Sequence, residues 1–94
     1  MAFALALPAE WAGQGWKVKI RDDERNEVPH VTFLRRRQAW RMSLRTGEFL
    51  DREPDPSDVP EELAERVWIK RAVLRHNWNL MYPENPVFSR ENHP

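Results

Sequence analysis

The first half of the chain alternates. In Trp16-Lys17-Val18-Lys19-Ile20-Arg21 apolar and cationic residues take turns, the period of a strand with one buried face. After the polar stretch 22–27, Val28-Pro29 leads into a second strand over about 30–36, proline being tolerated where a strand begins. A third strand is expected over about 38–45, with Trp40, Met42 and Leu44 on one side and Arg41, Ser43 and Arg45 on the other. Thr46-Gly47 has the composition of a tight turn, and Glu48-Phe49-Leu50 offers a short fourth strand. Connections this short join antiparallel neighbours, because parallel strands need long crossovers.

Beyond residue 52 the period changes. Glu53-Pro54-Asp55-Pro56-Ser57 is a proline-rich connector, and Asp58-Val59-Pro60-Glu61 has the spacing of a capping box. Leu63, Val67, Leu74, Trp78 and Met81 then recur at helical spacing and predict one long helix over 59–81 that covers the sheet. Glu61, Glu62 and Glu65 suit its positive end, and Arg71, Arg75 and His76 its negative end. Pro83 and Pro86 stop it, Val87-Phe88 pins the tail back, and residues 89–94 read as frayed.

The fold class is therefore α+β: an antiparallel meander of three to four strands with one long C-terminal helix on one face. A single domain is divided into an N-terminal extension (1–14), the sheet (15–52), a connector (53–58), the helix (59–81) and a tail (82–94). Ile69, Val73 and Leu80 make a second, offset apolar stripe that one helix cannot bury together with the first. Either the N-terminal segment with Phe3, Leu5, Leu7 and Trp11 covers it, or it is an interface for a partner or a second copy.

Composition narrows the chemistry. Among 94 residues there is no cysteine, and His30, His76 and His93 stand far apart, so neither a disulfide nor a metal centre is expected and no cofactor motif is present. Five tryptophans must anchor much of the core. No apolar run is long enough to span a membrane. The run Met1 to Leu7 resembles a signal core but lacks a basic start, so the expected location is the cytoplasm.

The zero net charge is split: residues 1–47 carry nine Lys/Arg against five Asp/Glu, and residues 48–94 carry six against ten. If Val18, Ile20, Val31, Phe33, Trp40, Met42 and Leu44 face the helix, then Lys17, Lys19, Arg21, Arg36, Arg41 and Arg45 face out with His30 and Thr32. That surface fits the backbone of RNA or DNA. It is also what an ordinary wet sheet face carries to discourage edge pairing. No aromatic residue for stacking bases is expected on it.

His30 is the one acid–base candidate near these cations. A metal-independent ribonuclease would use it as a proton carrier, with Arg36, Arg41 or Arg45 stabilising charge, although a second proton carrier is not evident.

The Pro29-His30 strand start, the Gly47-Glu48-Phe49-Leu50 turn, the proline connector and a helix with the late Trp78 resemble the small bacterial proteins grouped as domain-of-unknown-function family 4160. The resemblance covers about 16–78. Where that family shows Pro-Pro-His-hydrophobic-His, this chain has Val28-Pro29-His30-Val31-Thr32, so one proline and a second histidine are missing. The resemblance implies a component of a toxin–antitoxin-like gene pair, with a cognate partner protein.

Overall fold

In the computed structural model, which describes residues 2–88, the alternating segments form one antiparallel sheet in the order β1-β2-β3-β4. The strands are β1 (Phe3–Leu5), β2 (Lys17–Ile20), β3 (His30–Arg35) and β4 (Gln38–Ser43). A short helix α1 (Ala9–Ala12) joins β1 to β2, and two helices, α2 (Glu61–Ile69) and α3 (Arg71–Met81), follow the sheet. The fold is α+β, as the periodicities predict.

Register explains the core. Phe3 lies opposite Ile20, Leu5 opposite Val18, Val18 opposite Phe33, Phe33 opposite Trp40 and Val31 opposite Met42, so one face is apolar from edge to edge. Onto it pack Leu63 and Val67 of α2 and Leu74 and Trp78 of α3, all fully buried. Each such side chain contributes about 1.5–3 kcal/mol relative to exposure. The expected stripe is the one that is buried, and Met81 is half-buried at its end.

Four features differ from the sequence reading. Residues 1–14 are no appendage: β1 extends the sheet and Trp11 of α1 is buried. Glu48-Phe49-Leu50 forms no full strand; Phe49 makes a single bridge with Met42, flanked by hydrogen bonds from Ser43 N to Glu48 O and Leu50 N to Arg41 O.

The capping box is absent as well. Asp58 closes a 3-10 turn (Pro56–Asp58) in which Asp55 accepts from Ser57 N at 2.9 Å. Pro60 explains this. It has no N–H for Asp58 to cap, and it holds Val59 extended at φ −82°, ψ 122°, so α2 starts only after it.

Lastly, the long helix is interrupted at Lys70 (φ −89°, ψ 13°). Arg71 thereby opens α3, at its positive end, instead of lying in the last turns of one helix.

The tail is pinned as expected. Val87 is buried, its N–H donates to Asn79 Oδ1 at 2.9 Å, and Trp78 Nε1 donates to Asn85 O at 2.7 Å. Asn85 Nδ2 in turn donates to Arg25 O and Glu27 O, tying the tail to the 22–27 loop. The frayed end expected for residues 89–94 lies outside the described residues.

Candidate nucleic-acid interface

Both long helices pack on the apolar face, so the opposite side of the sheet carries the other half of the alternation. Lys17 pairs in register with Leu34, and Lys19 with Thr32, which lies opposite Arg41. Lys17 is exposed and Lys19 half-buried, and Arg21 continues the same parity, exposed, just past the strand. Residues two apart on a strand are about 7 Å apart on one face, so Lys17 and Lys19 stand side by side, with the exposed Arg21 the next cation in the chain. Arg36 and Arg37 make the two-residue loop between β3 and β4, both exposed, with Arg36 left-handed at φ 57°. No carboxylate among the described residues pairs with Lys17, Lys19, Arg36 or Arg37.

Four residues expected on that side, His30, Thr32, Ser43 and Arg45, are placed differently. His30 is 0% exposed and Thr32 1% exposed. His30 is covered by the loop before β3 and by Trp78 of α3, while Thr32 sits between its cross-strand neighbours Lys19 and Arg41. Glu24 Oε2 lies 3.0 Å from His30 Nε2, Glu27 Oε1 lies 3.9 Å from it, and Trp78 stacks at 5.5 Å between centroids.

His30 Nδ1 lies 2.7 Å from Val28 O. A carbonyl only accepts, so Nδ1 carries a proton there, and Nε2 and the Glu24 carboxylate share one more. Glu24 also accepts from Arg21 N at 3.0 Å, and its own N–H donates to the Tyr82 hydroxyl, which donates to Arg21 O. Burial, reinforced by Glu24, Asp22 and Asp23, pushes the Tyr82 hydroxyl above its usual range, while the hydrogen bond from the Glu24 backbone opposes this. His30 is therefore the centre of a closed network, with no edge of the ring facing solvent.

Arg41 does lie on the predicted side, but it is occupied. Its Nε and Nη2 grip Asp51 in a fork at 2.8 and 2.7 Å, and Nη1 donates to Glu27 at 3.0 Å. The hydrogen-bonded Asp51 holds the guanidinium charged, and the same bond keeps the Asp51 carboxyl below its usual value.

Arg45 leaves the sheet face altogether. β4 ends at Ser43, whose Oγ accepts from Arg45 N and Thr46 N; parity ends in that turn, and Arg45 Nε donates to Val87 O instead.

Glu24, Glu27 and His30 also bring three ligand-type atoms within 4.8 Å of one another, a grouping that sequence spacing did not reveal. Each of these atoms already has a partner, Glu27 accepting from the Arg41 guanidinium at 3.0 Å. Arg35, the first of the cation triplet Arg35-Arg36-Arg37, has its guanidinium 5.5 Å from the Trp16 ring centroid with Nε donating to Gln14 O.

Among the described residues no helix is long and apolar enough to cross a membrane. Compared with family models, curated proteins and solved structures, the chain matches none of them.

Proposed function

We propose that this chain binds the phosphate backbone of RNA or DNA through the basic side of the sheet, as a component of a toxin–antitoxin-like gene pair. One observation carries the binding: Lys17, Lys19 and the Arg36-Arg37 loop stand on or beside the face opposite Val18, Phe33 and Trp40, exposed or half-buried and without acidic partners among the described residues. Lys17, Lys19, Arg21 and Arg36 are the contacting cations. Arg41, held by Asp51 and Glu27, and Arg45, turned to the tail, are not. The gene-pair setting rests on the likeness to family 4160. His30 enters as a buried support for the loop, because a fully enclosed ring cannot meet a phosphodiester without local opening.

Anisotropy of a labelled oligonucleotide over a salt series tests the reading. The triple variant Lys17→Gln, Lys19→Gln, Arg36→Gln is expected to weaken single-strand binding at least tenfold at low salt. It should also make the log–log salt slope shallower by about 2, three contacts at about 0.7 each. Binding that stays flat from low to high salt overturns the proposal.

A second reading has its own observation. Ile69, Val73 and Leu80 are 73%, 45% and 66% exposed, so the N-terminal segment leaves this stripe uncovered. A protein partner or a second copy of the chain fits there. For self-association, light scattering should give a mass above one chain that Leu80→Glu returns to one chain. A single-chain mass at high concentration removes that form of the reading.

A further inference from the structure

The cations of α3 make a second arrangement on the helical side. Arg71 Cζ lies 4.9 Å and Arg75 Cζ 5.4 Å from the Trp68 ring centroid, and Arg75 Cζ lies 4.8 Å from that of Phe88. The Thr46-Gly47 turn supports the indole: Gly47 sits at φ 80°, and a Cβ there would come within 3.1 Å of Trp68 ring carbons.

Each guanidinium is anchored by one nitrogen. Arg75 Nε donates to Leu44 O at 2.8 Å, Arg71 Nη1 to Trp68 O at 3.0 Å, and Arg45 Nε to Val87 O. Arg45 and Arg75 are thus clamped to the same two segments, Leu44-Arg45 and Val87-Phe88. Their terminal nitrogens have no partner among the described residues, and no carboxylate there comes within 4.0 Å of Arg45, Arg71 or Arg75.

The free chain gains little from this grouping. Arg71 and Arg75 are like charges four residues apart on a helix, which repel. Because of the break at Lys70, Arg71 is the first residue of α3, where the helix dipole disfavours a cation. Burial, then the neighbouring Arg71, lower the Arg75 pKa from its ordinary value. Stacking on Trp68 and Phe88 offsets part of the cost. Guanidinium groups held by backbone anchors, with no carboxylate partner among the described residues, are already in place to receive an anion.

We propose that Arg71 and Arg75 bind a phosphate of single-stranded nucleic acid, with the ring of Phe88 as the adjoining platform for a base. Guanidinium forks match phosphate in two hydrogen bonds at once. Phe88, 56% exposed beside Arg75, supplies a stacking surface that splayed bases use and that an acidic peptide has no need of. This shares the nucleic-acid reading given above but stands on a different side of the molecule, so the two can fail separately.

The experiment titrates a labelled single-stranded oligonucleotide into the full chain, three double variants and one single variant. Arg71→Gln/Arg75→Gln is expected to weaken binding at least tenfold and to make the salt slope shallower by about 1.4. Arg71→Lys/Arg75→Lys keeps the charge without the fork, and a loss of several-fold is expected from it even if the glutamine variant folds poorly. Phe88→Ala should weaken binding and leave the salt slope unchanged.

Undiminished binding by both α3 double variants, with loss in Lys17→Gln/Lys19→Gln, overturns the helical site and leaves the sheet face standing. Loss in the α3 variants alone supports the helical site and overturns the sheet face. No binding by the wild-type chain overturns both. Displacement of the oligonucleotide by polyglutamate at equal charge concentration assigns the site to an acidic polypeptide and overturns it as a nucleic-acid site.

Discussion

His30→Ala is expected to lower stability by about 3–5 kcal/mol, the combined cost of a cavity and of two buried acceptors left unsatisfied at about 1–3 kcal/mol each. At about 4–8 °C per kcal/mol for a domain of this size, the melting temperature should fall by roughly 15 °C or more. The substitution leaves the Glu24 carboxylate buried beside Glu27, without the ring nitrogen now 3.0 Å away. It also strips Val28 O of its donor and opens a space against Trp78. Thermal and urea melts of the two proteins decide the matter. The result governs how any functional assay of this residue is read: loss of activity together with a large fall in stability reports the network. An unchanged melt with lost activity would return the proton-carrier role to His30.

Trp78→Ala should cost a similar amount, about 3–5 kcal/mol, as large-to-small changes of buried aromatics do. Trp78 is fully buried between His30 and Tyr82, with centroids at 5.5 and 4.4 Å. Trp78→Phe separates two parts of its role. It keeps most of the ring but loses the N–H that Asn85 O accepts, so about 1–2 kcal/mol should go, the cost of one unsatisfied buried acceptor. Since Asn85 also holds Arg25 O and Glu27 O, faster amide exchange in the 22–27 loop is expected in Trp78→Phe. Unchanged exchange there would show that the tail holds the loop without help from the indole.

What was legible in the sequence follows from where local rules act alone. The alternation in Trp16–Arg21 and 38–44 placed every core residue of those strands correctly, because a strand with one dry face leaves no other choice. The expected exposure failed at His30, Thr32 and Ser43, which are all buried; the cover of His30 comes from a loop nearby in sequence but without any period of its own, and from Trp78. Parity failed at Arg45, where the strand ends one turn sooner than the pattern does.

β1 was hidden because alanine replaces the polar half of its alternation, so Phe3, Leu5 and Leu7 read as one apolar run. The break at Lys70 carries neither glycine nor proline, the usual marks of a kink. Missing it inverted the dipole reading of Arg71 and hid the Trp68–Arg71–Arg75 grouping, although the three residues already stood at helical spacing in the sequence.

The order of the meander has a consequence during synthesis. Every strand pairs with its neighbour in sequence, so the whole sheet can assemble once residue 43 has left the ribosome. The residues that shield its oily side, Leu63 to Trp78, are still being added. At roughly 5–20 residues per second, the interval before Trp78 appears lasts about 2–7 s. For those seconds Val18, Ile20, Val31 and Phe33 are open to chaperones and to other nascent chains. Substitutions that slow closure by α3 should therefore reduce soluble yield more than their effect on the finished fold would indicate.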